Sequence, residues 1–424
     1  METPSGARRW PKKTIAVLAV VLAVVAAGAI AYRVLAPAEE LTPARLGYPS
    51  PVTAQPGVLG TLATAPLIVD NRLRIHAAPR QIVADQPVDA RTRRTPYWSF
   101  RRWPAQLVGV VAAGTTVVSQ WSDGELVALD ARTGRIAWRA EGPETDLEYA
   151  GRRTGAATVY APPGLRTAVT GDDQVVLTVI GRAELRGLDL ATGREMWRAE
   201  HDPSCVASGM TTTGGQFVSV DTCAVPQVVE FRDVSTGASV ARWRPADTGP
   251  ELTITPLGCV IAQSSCAALR AGTSDAAGRG WLVTDPIGST GPTTAPALDA
   301  AGAVLAGELA VTVGTSGVVA RSVADGTEVW RRDDPGTSRI LAVQPGRIHL
   351  RNEAGELVDL DPATGREVSR FPLTQEKQSL DWEPGRTYAA AGFLAVERLA
   401  GPVDPDADDD RYYLTIEPVL FAGS

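Results

Sequence analysis

Four cysteines, three histidines and one run of aspartates carry most of the chemical range in this chain. An even number of cysteines suits two disulfides in an oxidising compartment, and four cysteines allow three pairings. The short separations favour Cys205–Cys223 and Cys259–Cys266, with four buried free thiols as the alternative. No C-x-x-C pair is present, so a zinc site is not indicated. His76, His201 and His349 form no H-x-x-x-H pattern, and each reads as a packing or loop residue. The acidic stretch from Asp404 to Asp410 begins like a calcium loop, but Asp409 stands where the turn glycine belongs and Thr415 where the bidentate glutamate belongs. A solvated hairpin tip fits it better. There is no G-x-S-x-G, P-loop or dinucleotide fingerprint. No catalytic residue, metal or cofactor is assigned.

The elements that must hold these residues repeat along the chain. LVALDARTGRIAW (126–138) recurs as LRGLDLATGREMW (185–197) and as LVDLDPATG (357–365), with Ser369 at the place of the tryptophan. Weaker copies surround Asp233 to Gly237, with Trp243 two places late, Asp325-Gly326 before Trp330, and Asp89 to Thr92 before Trp98, with Arg93 replacing the glycine. Asp130, Asp189 and Asp361 can accept hydrogen bonds from backbone N–H groups just ahead, fixing a turn. Gly134, Gly193 and Gly365 then supply the positive φ that ends it. Apolar residues before the turn form one strand and the stretch to the tryptophan forms the next, so each copy predicts a hairpin. Helical periodicity is scarce after residue 56.

Spacing sets the unit. Gly134 to Gly193 is 59 residues, Gly193 to Gly237 is 44, and Gly326 to Gly365 is 39; the gap between Gly237 and Gly326 holds two units, one of them degraded around 259–286. Four-stranded sheets repeating every 40–50 residues or so predict an all-β chain folded as a β-propeller. The units number about eight, with seven as the alternative, and strands at 393–398 and 412–421 complete the last, closed by a strand from 57–64. Such closure removes exposed edges.

The repeat resembles that of the pyrroloquinoline-quinone-like (quinoprotein-type) propeller family over roughly residues 57–424. The resemblance implies that Trp98, Trp138, Trp197 and Trp330 dock between adjacent blades. Members of that family that hold the quinone use an adjacent Cys-Cys disulfide, a carboxylate base, calcium and a stacking tryptophan; the nearest cysteines here are Cys259 and Cys266, so no cofactor is expected.

The N-terminus sets the location. Arg8, Arg9, Lys12 and Lys13 precede an uncharged apolar run from Ile15 to Ala31. Extended to Leu35, it reaches about 31 Å as a helix, matching a ~30 Å hydrocarbon core. A transmembrane helix at 14–35 is therefore expected, preceded by a cytoplasmic segment (1–13) and followed by a Pro-rich linker (36–56) and the propeller (57–424). A cleaved signal is the alternative, since Ala29 to Ala31 and Ala36 to Ala38 fit small-x-small sites. The basic flank keeps the N-terminus inside and exports the rest.

Lys and Arg number 41 against 48 Asp and Glu, a net charge of −7. Five of the basic groups lie within residues 1–35, so the exported part is more acidic still, which argues against nucleic acid as a partner. The expected function is a non-catalytic, single-pass, membrane-anchored scaffold that binds an envelope protein. A quinone-dependent dehydrogenase and a glycan- or small-ligand sensor are the alternatives.

Overall fold

The computed structural model describes residues 17, 19–28, 36 and 38–424, apart from 92–94, 206–208, 247, 274–277, 288–290, 334–337, 375–380, 405 and 408. Most of the expected cytoplasmic and transmembrane segments, with Thr92 and Arg93 of the first repeat, lie outside the described residues. Residues 19–28 are helical. No described helix is long and apolar enough to cross a membrane.

Alternating apolar runs broken by Asp–Gly turns give eight antiparallel sheets. Blade 1 runs from Pro66–Val69 through Leu73–Ala78 and Gln81–Asp85 to Trp98–Trp103. The next six each hold four strands in chain order: blade 2 from Leu107–Ala113 to Ile136–Glu141, blade 3 from Leu165–Val169 to Glu195–Glu200, blade 4 from Met210–Thr211 to Ser239–Trp243, blade 5 from Thr253–Leu257 to Thr293–Thr294, blade 6 from Val304–Ala306 to Glu328–Asp333, and blade 7 from Arg339–Gln344 to Glu367–Pro372. Blade 8 combines Glu383–Ala390, Phe393–Leu399 and Val419–Gly423 with an N-terminal strand, Gly57–Leu62. First strands of neighbouring blades touch one another, so they line the axis. The fold is an eight-bladed propeller closed by strands from both ends of the described chain.

Burial follows from this layering. Third strands have a blade on either side, so Leu126, Val127, Ala128 and Leu129 are all fully buried in succession. Fourth strands alternate, with Trp138 inward and Arg139 outward. One face of the disc, here the upper, carries the links between blades and those from second to third strands. The lower face carries the other two turns of each blade.

The linker departs from expectation. Ala38–Thr42 is a fifth strand on the edge of blade 1, pairing antiparallel with Trp98–Trp103 from Ala38↔Trp103 to Thr42↔Ser99. Residues 43–56 then cross the lower face: the Ala44 N–H donates to Thr133 O, Arg72 to Pro49 O, and the Val52 N–H to Asn71 O. A free spacer was expected from the prolines. The open edge of blade 1 instead offers unpaired backbone groups, and Leu41, Tyr48 and Val52 pack on its apolar core.

Candidate functional site

The repeat residues meet across blade seams. Trp98 Nε1 donates to Ala131 O at 2.8 Å, Trp138 to Leu190 O at 2.9 Å, Trp197 to Val234 O at 2.6 Å and Trp330 to Pro362 O at 2.8 Å. Each acceptor follows the turn aspartate of the next blade: Asp130, Asp189, Asp233 and Asp361. Within those turns the Gly134 N–H donates to Asp130 O and the Gly193 N–H to Asp189 O, and the glycines have φ near +70°. The Thr192 and Thr364 backbone N–H groups and hydroxyls donate to Asp189 and Asp361 Oδ1. The Thr364 hydroxyl and N–H hold the Asp361 carboxyl below its ordinary pKa. A register shift at the Trp138, Trp197 and Trp330 positions turns each indole toward its neighbour.

Other seams use substitutes. Trp243 packs edge-on against Trp281 at 4.8 Å, and Leu298 is buried beside Val323 between blades 5 and 6. At Ser369 the hydroxyl donates to Asp359 Oδ2 at 2.5 Å; Asp359 Oδ1 lies 2.6 Å from His349 Nδ1, and His349 Nε2 lies 2.8 Å from Gln344 Nε2. Gln344 Oε1 accepts the Gly392 N–H, carrying this buried chain into blade 8. The hydroxyl meets the carboxylate and not the imidazole, and both His349 and Asp359 have no exposure, so this is not a nucleophile–base pair.

The axis is filled from both ends. The upper link between blades 2 and 3 turns inward as a short helix, Ala156–Tyr160, whose Tyr160 stacks on Tyr388 of blade 8 at 4.7 Å and donates to Pro66 O of blade 1. Arg152 and Arg153 lie over Tyr412 and Tyr413, and Arg152 donates to Asp404 O and Ala407 O, binding the described part of the acidic stretch. Thr154 donates to Glu397 Oε1 at 2.5 Å, and burial raises the Glu397 pKa. From the lower side the turn closed by Cys259–Cys266 reaches in: the Thr211 N–H donates to Gln263 O and the Thr167 N–H to Ser264 Oγ, while Ile261 packs on the core of blades 1, 2 and 8. Arg166 joins the two insertions, donating to Pro162 O, Gly209 O and Gln263 Oε1; burial lowers its pKa to about 10. Cys205–Cys223 links two upper loops of blades 3 and 4.

These residues do not fit a quinone pocket. The axial disulfide joins cysteines seven positions apart and not adjacent ones, and the Gln263 turn and the helix occupy the space. Among the described residues no cluster suits a metal. A cavity of ≈ 350 Å³ lies between blades 8 and 1, lined by Thr61, Thr64, His76, Gln81, Arg91 and Glu417 among others. Thr64 Oγ1 is 3.0 Å from His76 Nδ1, and Asp85 Oδ2 is 3.5 Å from His76 Nε2. Among the described residues this seam has no indole; Arg74 lies 5.6 Å from the Phe421 ring of blade 8 and donates to Ala90 O within its own blade. The sequence reading missed the helix, Arg166 and this cavity. The long interval between Gly134 and Gly193 is the one trace of the first.

Fold and seams define a disc-like propeller with a plugged axis, of the kind that offers its loops as surface. A family model described as "Outer membrane protein assembly factor BamB" matches residues 56–160, 89–271 and 314–411, and the chain belongs to that family. No curated protein matches it. Among solved structures it is similar to BamB from Moraxella catarrhalis, at 16% identity over 88% of this chain and 98% of that one, with a TM-score of 0.43. It is also similar to the computationally designed Ika8 protein (12%, 89% and 99%, TM-score 0.46) and to dihydro-heme d1 dehydrogenase NirN in complex with DHE (11%, 70% and 59%, TM-score 0.42).

Proposed function

We propose that this chain is a non-catalytic scaffold of the cell envelope, anchored by a membrane helix at 14–35, whose propeller lies outside the membrane and binds a protein partner. The filled axis carries this reading: with the helix and the Cys259–Cys266 turn inside, the broad loop faces are the surface left for recognition. Membership in a family described by outer-membrane assembly, and two disulfides of the kind that persist in oxidising compartments, support the location. The cavity between blades 8 and 1 favours a second reading, a sensor for a small polar ligand.

The test is in cells. Full-length chain should fractionate with membranes, resist alkaline extraction, carry no alkylatable thiols, and photo-crosslink to the same envelope protein from several positions on one face. A chain found in the cytosol with four free thiols sinks the scaffold reading. Stoichiometric uptake of quinone with Ca²⁺ sinks the non-catalytic one.

A further inference from the structure

As a free spacer, the 21 residues of the linker could reach about 70 Å when extended. Its first strand abolishes that reach. Ala38 pairs with Trp103 at the upper rim of blade 1, and the strand descends from there to Thr42 at the lower rim. Only residues 36 and 37 separate Ala38 from Leu35, the last residue of the membrane helix proposed above, so the leash spans about 11 Å at most.

The strand is pinned as well as paired. Glu39 Oε1 accepts from Arg102 Nε at 2.9 Å and Glu39 Oε2 from Arg139 Nη2 at 2.5 Å, and both arginines also reach Glu125. The hydrogen bond from Arg139 holds the Glu39 carboxyl below its ordinary pKa. Arg102 is buried and Leu41 packs on the core beneath, so the strand belongs to the fold.

We infer that the N-terminal segment holds the upper face of the propeller toward the bilayer and the lower face away from it, so the partner of the upper face is a protein embedded in that membrane. The inference rests on the anchoring proposed above. Exposed apolar side chains do not set the orientation, since Val225 and Ile416 lie on the upper loops while Leu46 lies on the lower face. Adhesion to lipid does not set it either. Glu144, Asp146, Glu148 and Asp404 lie on the upper loops and are offset only in part by Arg182, which pairs with Asp146, and by Arg152 and Arg153, so an anionic headgroup layer does not draw this face in. The tether alone decides which face is near.

The experiment uses the full chain in vesicles of neutral and anionic phosphatidyl lipids carrying a headgroup nitroxide. A fluorophore is placed through a non-canonical residue at Ile416, above blade 8, or at Arg135, below blade 2, each one blade from the tether. Quenching should be several-fold stronger at 416 than at 135 in both lipids. A Gly/Ser insertion of about 20 residues before Ala38 should erase the difference. Equal or reversed quenching in membrane-bound chain overturns the orientation and leaves the anchor standing. Release of the chain by alkaline wash overturns the anchor, and the orientation with it.

Discussion

Trp330 and Gly365 belong to different blades and lie in contact: a Cβ built on Gly365 would sit 2.5 Å from Cε3 of the indole. Gly134, Gly193 and Gly237 stand in the same relation to Trp98, Trp138 and Trp197. The glycine of the repeat therefore does two things at once. It takes a backbone conformation that other residues resist, and it leaves room for the neighbouring blade's ring.

Gly365→Ala separates from Gly326→Ala on this basis. Both positions have φ near +70°, but Gly326 has open space around its missing side chain. Gly365→Ala should cost about 1–3 kcal/mol more than Gly326→Ala, by overpacking. Chemical denaturation of the two variants checks this, and equal losses would leave the seam contact without energetic weight.

Truncating a docked indole removes packing and a hydrogen bond together. Trp138→Ala should lose about 3–5 kcal/mol. Trp138→Phe keeps most of the contact and gives up the N–H donated to Leu190, a loss of about 1 kcal/mol from the hydrogen bond itself. Thermal melts that do not distinguish Ala from wild type would contradict the blade-packing role proposed for Trp138.

The disulfide Cys205–Cys223 closes a separation of 18 residues, for which the chain-entropy model gives roughly 3 kcal/mol. A Cys205→Ser/Cys223→Ser chain should lose stability on that scale. Adding reductant to wild type should cost at least as much, since it opens Cys259–Cys266 as well, and peptide maps without reductant should show the two local pairs and no crossed ones.

Glu367 accepts hydrogen bonds from Arg370 and from Arg332 of blade 6, and its pKa falls from 4.5 to about 2. A carboxyl lowered on folding stabilises the native state above its unfolded pKa, and that contribution fades as pH drops from about 4.5 toward 2. Wild type should thus lose more stability than Glu367→Gln across this interval. Parallel acid profiles in urea titrations would show that the pair has no net effect.

The blades were legible because their signals are local. The turn of Asp189 to Gly193 and the tryptophan after it sit within one hairpin, and spacing between such hairpins counts the repeat. Closure by Gly57–Leu62 was readable from the leftover C-terminal strands. What stayed hidden depends on contacts far apart in sequence. Ala38–Thr42 looks like linker until Arg102 and Arg139 are seen waiting for Glu39 across 60 residues or more. Ser369 looks like a lost tryptophan, yet His349 and Asp359 rebuild the seam with polar groups. The inward turn of the Tyr160 helix is likewise set by Pro66 and Tyr388, residues no local pattern connects to it.

Blade 8 takes its outermost strand from residues 57–62 and its third from 419–423. An emerging chain can stack seven blades while that latch hangs open, exposing the Leu394 and Phe421 layers at a raw edge. Synthesis must pass residue 423 before the circle can shut. The disc is thus completed only when that strand arrives, and loss of residues 419–423 would leave an unbuckled ring.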